Sequence, residues 1–94
     1  MVYSQGKGET VEAVPSAPSP ISGVVTMEDI SQGERVREYV IEGLVDDKWL
    51  ELAHGTAIGH KKIDRFEPVR IAKARIRVIR SEGEPLIRRI ALYR

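Results

Sequence analysis

The sequence contains no cysteine among its 94 residues, which excludes disulfides, zinc–thiolate sites and thiol catalysis. Aromatic residues make up only 5% of the chain, so there are few side chains on which nucleic-acid bases could stack. No apolar run approaches the roughly 20 residues that span a bilayer, and the polar segment 1–20 has no hydrophobic signal core. The sequence therefore predicts a soluble chain with one small domain, whose core draws on 41% hydrophobic residues.

The net charge of +1 conceals an uneven distribution along the chain. Residues 1–59 hold four Lys/Arg against ten Asp/Glu, a net −6, whereas residues 60–94 hold eleven against four, a net +7. One interpretation is a basic surface for an anion such as nucleic acid, a sulfated sugar or an acidic partner. The other is that the acidic half lies beside the basic half and their fields cancel, and this is the interpretation we favour.

The N-terminal segment 1–20 differs in composition from the rest. Three prolines, Pro15, Pro18 and Pro20, favour an extended conformation, and the segment as a whole is typical of a tail or linker. Residues 10–14 alternate between polar and apolar side chains, which suggests one short edge strand. A domain is expected over residues 21–94.

Residues 21–94 are dense in β-branched residues, and turn residues interrupt them at roughly ten-residue intervals. In the segment 71–79, apolar Ala72, Ala74, Ile76 and Val78 alternate with basic residues, which is the period of two of a half-buried strand. Segments 23–27, 35–45, 48–53 and 86–93 are further strand candidates, and Asp46-Asp47 fits a two-residue hairpin turn. This pattern predicts an all-β sandwich.

The segment 34–44 permits a second interpretation. Ser31 to Glu34 has the form of a helix capping box, and Val36, Val40 and Leu44 recur every four residues, as on a helix face. The β-branched residues and Gly43 oppose a helix, so the strand is favoured.

Few residues suggest chemistry. The two histidines, His54 and His60, lie six apart across glycines, which is not a metal-ligand spacing, and they are interpreted as loop or rim residues. The adjacent Glu28-Asp29 pair is interpreted as the end of a strand. Trp49 could offer its ring face to a sugar, but a lone Trp in an alternating strand more often belongs to the core. No catalytic residue, metal ligand or cofactor is predicted.

Several separate blocks nevertheless match a known family in order. They run from Met27-Glu28-Asp29-Ile30-Ser31-Gln32-Gly33-Glu34-Arg35-Val36-Arg37-Glu38-Tyr39 through Asp47-Lys48-Trp49, residues 55–63, residues 74–78 and Glu84-Pro85-Leu86-Ile87-Arg88 to the closing Leu92-Tyr93. Together they resemble the C-terminal discoidin-like (galactose-binding-like, coagulation-factor C-type) β-sandwich of family-29 α-L-fucosidases. Because the family domain is longer, the resemblance implies a truncated version of it over residues 21–94.

The resemblance implies an all-β fold, a partial jelly-roll or galactose-binding-like sandwich of about five to six antiparallel strands. Open edges and an uncovered apolar face would then be completed by the N-terminal segment or by a homodimer, or covered by another partner. The fucosidase catalytic barrel has no counterpart in these residues, so the chain is expected to be a non-catalytic accessory module. Its calcium loop has none either, and no cofactor is expected.

Binding in modules of this kind usually occurs in loops at one end of the sandwich. The predicted ligand-binding residues, for a fucose- or galactose-containing glycan, are Glu28, Asp29, Gln32, Arg35, His60, Lys61 and Arg65. Two other functions remain open. One is a structural or oligomerisation module without sugar binding, and the other, less favoured, is a polyanion or nucleic-acid binder that uses the basic C-terminal half.

Overall fold

The structure, a computed structural model, describes residues 2–7, 10–15, 18–31 and 33–94, the first of these ranges by its backbone alone. Every regular element in the described ranges is a β-strand, and none of them includes a helix able to cross a membrane. The strands are β1 (Val2–Lys7), β2 (Thr10–Ala13), β3 (Ser19–Glu28), β4 (Val36–Val45), β5 (Lys48–Gly55), β6 (Lys62–Ile71), β7 (Lys73–Ser81) and β8 (Leu86–Tyr93).

The eight strands form two four-stranded sheets that pack face to face. The first sheet has the order β1-β8-β3-β6 and the second the order β2-β7-β4-β5, and every pairing is antiparallel. Most connections pass from one sheet to the other, and only β4 and β5 form a hairpin within a sheet. The prediction of an all-β antiparallel sandwich is thus confirmed, with eight strands where about five to six were expected.

Two strands lie outside the six candidate segments, β1 and β6, whereas β2 corresponds to the short edge strand expected over residues 10–14. The N-terminal segment contributes β1 and β2. β1 pairs with β8 at the edge of the first sheet, and β2 pairs with β7 at the edge of the second. Val11 and Ala13 of β2 point into the core and are 6% and 1% exposed. The segment that its composition marks as a tail therefore adds an edge strand to each sheet, which is one of the two ways of completing the sandwich that the sequence suggested.

The segment 34–44 is a strand and not a helix. β4 lies in the middle of the second sheet, between β7 and β5, and its i,i+4 apolar pattern reflects burial on both faces. Asp46 and Asp47 form the turn to β5, with φ angles of 49° and 64°. Two successive left-handed residues are what a type I′ hairpin turn requires, so the predicted two-residue turn is confirmed.

The core lies between the sheets and is built from aliphatic side chains on alternating strand positions. In β7 the core positions are Ala74, Ile76 and Val78, as the period of two predicts, whereas Ala72 is an exposed residue of the β6–β7 bend. One polar bridge crosses this core: the Tyr39 hydroxyl donates a 2.7 Å hydrogen bond to Asp64 Oδ2. Burial and the Asp64 carboxylate both raise the pKa of Tyr39, so the phenol stays protonated.

The basic residues of β7 lie on the outer face of the second sheet, where acidic residues meet them. Arg75 Nε lies 2.8 Å and Arg77 Nε 3.1 Å from Glu42 Oε1, while Lys73 pairs with Glu12 at 3.5 Å. Acidic residues therefore neutralise Lys73, Arg75 and Arg77 locally. For these three residues the interpretation that the two halves cancel each other's charge holds. The other cations of this half are distributed elsewhere on the molecule.

Trp49 belongs to this outer face as well. The Arg75 guanidinium carbon lies 3.8 Å from the centre of the Trp49 ring, a cation–π contact that covers one ring face. The indole is half-buried and is absent from the core cluster, so the expectation of a core tryptophan is wrong. The alternation in β5 could not show which face is buried, because Trp49 and Ala53 on one face and Leu50 and Leu52 on the other are all apolar.

Candidate ligand-binding site at the loop end

Three connections meet at one end of the sandwich, which we call the loop end: residues 29–35, 56–61 and 82–85. Backbone hydrogen bonds tie them together. The Glu28 N–H donates to the Gly59 carbonyl at 3.0 Å, and the Asp29 N–H donates to the Leu86 carbonyl at 2.8 Å. The Glu82 N–H donates to the Arg35 carbonyl at 2.7 Å. The loop end is therefore a connected surface that draws on both sheets.

Glu28 is the residue that organises the first loop from inside. It is 1% exposed, and its Oε2 accepts hydrogen bonds from the backbone N–H groups of Arg35 and Val36, at 2.6 and 3.0 Å. Its Oε1 is buried and has no hydrogen-bond partner among the described residues. A carboxylate enclosed in this way cannot contact a ligand at the surface. In this structure Glu28 stabilises the loop instead of offering the predicted ligand contact.

Asp29, the next residue, points outward because it follows the end of β3. Its Oδ1 accepts a 3.0 Å hydrogen bond from the Ser31 N–H. This bond, together with the Ser31 hydroxyl and the nearby Arg88 and Arg35, lowers the pKa of the Asp29 carboxyl. The residue is thus an exposed, ionised acceptor at neutral pH.

Arg35 connects two of the loops. Its Nη1 donates a 2.9 Å hydrogen bond to the Glu84 carbonyl, and the side chain is half-buried. Gly83, in the same turn, has a left-handed φ of 92°, and a Cβ there would meet Arg35 Cδ at 3.9 Å, an ordinary van der Waals distance. Arg35 therefore lies at the predicted place, with part of its donor capacity already used.

His60 and Lys61 lie in the second loop and are exposed. Their loop is anchored by Ile58, which is 4% exposed, and by Gly59, whose left-handed φ of 62° turns the chain towards β6. A Cβ at Gly59 would stand 2.6 Å from Glu34 Oε1, the end of an exposed side chain that can move aside, so the left-handed φ is what favours glycine here. Gln32, another of the predicted ligand-binding residues, lies outside the residues that the structure describes.

Arg65 is the one predicted residue that the structure separates from the others. It lies on β6 opposite Gly23, several residues before β3 reaches the loop end. Because β-strands rise ~3.3 Å per residue, the five residues from Gly23 to Glu28 place Arg65 about 16 Å from the loop end. The sequence prediction grouped it with His60 because the two are close in the chain, and the strand between them carries Arg65 away.

The loop end therefore combines an ionised acceptor, cationic donors and a small apolar surface. Asp29 can accept from hydroxyls, and Lys61 and Arg35 can donate to them. Ile30, between the loops, is 41% exposed and offers a hydrocarbon surface. In the described ranges no group of three or more His, Asp or Glu side chains is placed to hold a metal ion. Such an arrangement suits recognition of a hydroxyl-rich ligand more than bond cleavage.

Comparisons with known proteins place this chain beside part of a larger enzyme. No protein-family model matches it. A rice protein named "Putative alpha-L-fucosidase 1" (Oryza sativa subsp. japonica) is 33% identical over 60 residues, which are 64% of this chain and 12% of the rice protein. A crystal structure from Bacteroides thetaiotaomicron, also named a putative α-L-fucosidase, superposes on 99% of this chain and 22% of its own with a TM-score of 0.96 and 30% identity.

Two further structures extend this picture. A glycoside hydrolase 29 family member from a rumen bacterium gives a TM-score of 0.83 at 29% identity over 95% of this chain and 18% of its own. A chitosan-binding module of a Paenibacillus chitosanase/glucanase, solved with chitotriose, gives a TM-score of 0.75 at 13% identity over 90% of this chain and 69% of its own, a likeness in fold alone. This chain thus resembles a portion of α-L-fucosidases and spans about a fifth or less of their length.

Proposed function

We propose that this chain is a non-catalytic accessory module of the α-L-fucosidase type that binds glycans at the loop end. The observation that carries the proposal is the similarity of nearly the whole chain, in sequence and in fold, to a minor portion of an α-L-fucosidase. The discoidin-like C-terminal domain is the portion that we propose. That the same fold occurs in a chitosan-binding module is consistent with a binding role.

In this proposal the exposed groups of the loop end recognise a fucose- or galactose-containing glycan. Asp29 accepts hydrogen bonds from two sugar hydroxyls, while His60, Lys61 and Arg35 supply hydrogen bonds to others. Ile30 contacts an apolar face of the ring. Glu28 contributes indirectly, because it fixes the backbone of residues 35 and 36 from below.

The proposal is tested by a titration of the labelled chain with fucose, galactose and short fucosylated glycans, followed by amide NMR. We expect shifts confined to residues 29–35 and 58–61. Asp29→Ala should weaken binding about tenfold, the effect of losing one charge-assisted hydrogen bond, and His60→Ala should weaken it severalfold, the effect of losing one hydrogen bond. Arg80→Ala, which removes an exposed cation from β7, is the matched control and should bind normally. A spectrum that no sugar moves would contradict glycan binding.

As an accessory module the chain should show no hydrolysis by itself. Retaining and inverting glycosidases need two carboxyl groups facing each other across the scissile bond. At the loop end Asp29 is held ionised, which does not suit a general acid, and Glu28 is enclosed and cannot face a substrate as its partner. We expect no release of nitrophenol from a nitrophenyl α-L-fucoside above the buffer rate. Release that follows protein concentration and is lost in Asp29→Ala would contradict the proposal.

A second candidate function, assembly, is favoured by the sheet edges. β1 and β6 border the first sheet and β2 and β5 the second, and these four edges expose unpaired backbone groups. We propose that the chain forms a homodimer through one of them. Light scattering coupled to gel filtration should give twice the 10.5 kDa chain mass. A single-chain mass at high concentration would contradict the homodimer while leaving the glycan titration unaffected.

A further inference from the structure

A groove crosses the outer face of the first sheet, away from the loop end. It has a volume of about 360 Å³, which lies in the range of ~300–1,000 Å³ typical of small-molecule sites. Its lining consists of Ser22, Gly23, Val24, Ile63, Arg65, Tyr93 and Arg94. The groove contains Arg65, the predicted ligand-binding residue that the structure separates from the others.

Strand register explains why the groove forms here. Gly23 of β3 is opposite Tyr93 of β8 on one side and Arg65 of β6 on the other. The adjacent residues on β3 and β6, Val24 and Asp64, point into the core. Because side chains alternate along a strand, Gly23, Tyr93 and Arg65 therefore face the outer side of the sheet. The missing side chain of Gly23 leaves a depression between the tyrosine and the arginine. A Cβ at Gly23 would meet only the Asp64 carbonyl oxygen, at 3.5 Å, among the described atoms outside its chain neighbours.

The walls of the groove differ in character. Tyr93, on β8, is 42% exposed and forms the aromatic wall. On the opposite side β6 contributes Ile63, which is 46% exposed, and Arg65, two residues further along. The Arg65 side chain is exposed and makes no hydrogen bond or ion pair with the described residues. This differs from the outer face of the second sheet, where Arg75 and Arg77 are already paired with Glu42.

The charge of the lining selects the ligand. Two of the seven lining side chains are basic and none of the seven side chains is acidic, so the side chains of the groove favour a ligand with a negative group. An arginine binds a carboxylate or sulfate through two parallel hydrogen bonds. A tyrosine ring face packs against the apolar face of a sugar ring, with its hydroxyl free for a hydrogen bond. The size of the groove fits one small molecule and not an extended strand.

We propose that this groove is a second binding site of the module, for a saccharide unit that carries a carboxylate or sulfate group. The ring lies over Gly23 against Tyr93 and Ile63, and the anionic group pairs with Arg65. The saccharide class rests on the proposed function, whereas the place and the charge preference rest on the groove itself.

The test is an amide NMR titration of the labelled chain with glucuronic acid and with a sulfated galactose, compared with fucose and with sodium sulfate at the same ionic strength. We expect both acidic sugars to shift the amides of Gly23, Ile63, Arg65 and Tyr93, and neither fucose nor sulfate to do so at the same concentration. Unmoved groove amides would overturn the proposal, and so would sulfate binding as tightly as the acidic sugars.

Variants locate the site. Arg65→Gln should weaken binding of the acidic sugars about tenfold or more, as expected for one charge-assisted contact. Tyr93→Ala should weaken binding by a similar factor, because it removes the ring against which the sugar packs. Gly23→Val should do the same by filling the depression, at a position where a Cβ meets no close neighbour. Arg70→Gln, on the same strand and outside the groove lining, removes an equal charge and should leave binding within about twofold. Equal losses in Arg65→Gln and Arg70→Gln would overturn the site.

The two proposals fail separately in this experiment. If fucosylated glycans shift the amides of residues 29–31 and 58–61 and no acidic sugar shifts the groove amides, the groove site is wrong and the loop-end site is supported. Acidic sugars that shift the groove while no glycan moves the loop end would sink the loop-end site alone. If no saccharide of either kind moves any amide, both are wrong.

Discussion

At the scale of single residues, the hydrogen bond between Tyr39 and Asp64 stands out because it joins the two sheets through the core. Tyr39 is 0% and Asp64 7% exposed, and the only ion pair of Asp64 among the described residues is with Lys62 Nζ at 3.8 Å. Gly55 lies directly against the phenol, and a Cβ there would stand 2.7 Å from the hydroxyl. The pair therefore links the two sheets at this point, and it leaves room only for glycine at position 55.

Tyr39→Phe should destabilise the protein by about 1–3 kcal/mol, because it removes the donor and leaves a buried carboxylate oxygen unsatisfied. Urea unfolding followed by circular dichroism measures the change. Tyr93→Phe, which removes a hydroxyl from a residue that is 42% exposed, is the control and should change the stability little. Equal stabilities of Tyr39→Phe and the parent chain would show that the bond contributes nothing.

Glu42 gives the protein a specific dependence on pH. The hydrogen bond from Arg77, with further contributions from Arg75, holds the pKa of the Glu42 carboxyl below its usual value, although burial opposes this. A group whose pKa is lower in the folded state binds more protons when unfolded, so its stabilisation is complete above the unfolded value of about 4.3 and is lost as the pH falls through the folded value.

Glu42→Gln should therefore cost about 1–3 kcal/mol at pH 7, the range for hydrogen bonds to charged groups, and the difference from the parent chain should shrink as the pH drops below 4. Urea midpoints measured between pH 7 and pH 2 check this. Glu38→Gln, at an exposed position of the same strand, should give a smaller difference at every pH. A constant difference across the range would mean that the carboxylate is not the stabilising form.

At the scale of elements, the β4–β5 turn is formed by residues that pay a conformational cost. Asp46 and Asp47 both adopt left-handed φ angles, a region that aspartate enters less readily than asparagine or glycine. Asp46→Asn combined with Asp47→Gly should therefore stabilise the hairpin by about 0.5–1 kcal/mol. Thermal unfolding measures the gain. Gly33→Ala is the converse control. A Cβ at Gly33 would meet no atom within 4 Å, so the expected loss of stability comes from its left-handed φ of 91° alone.

At the scale of the whole molecule, β1 and β2 supply an edge strand to each sheet. A chain that begins at residue 15 would lose Val11 and Ala13 from the core and would leave β7 and β8 as new open edges. We expect it to lose its cooperative urea transition or to aggregate, whereas the full chain unfolds in one step. If the shorter chain is as stable as the full one, β1 and β2 are not part of the folding unit.

The sequence by itself determined the class of the fold and several of its parts. The period of two in residues 73–78, the Asp46-Asp47 turn and the dense β-branched residues are local signals, because side-chain alternation and turn conformation depend on neighbouring residues. The resemblance to α-L-fucosidases also came from the sequence. At the candidate site, Asp29, Arg35, His60 and Lys61 do lie at one end of the sandwich, while their binding of a ligand stays a prediction.

Only the tertiary structure decided which of these residues are accessible and which lie together. Glu28 and Asp29 are adjacent in the chain, yet the end of β3 encloses one carboxylate and exposes the other. Arg65 is close to His60 in sequence, but β6 carries it to Tyr93 and Gly23, which come from opposite ends of the domain sequence. Residues 2–7 carry no strand pattern of their own and become β1 by pairing with β8. Such outcomes depend on pairing between distant strands, which local residue patterns do not encode.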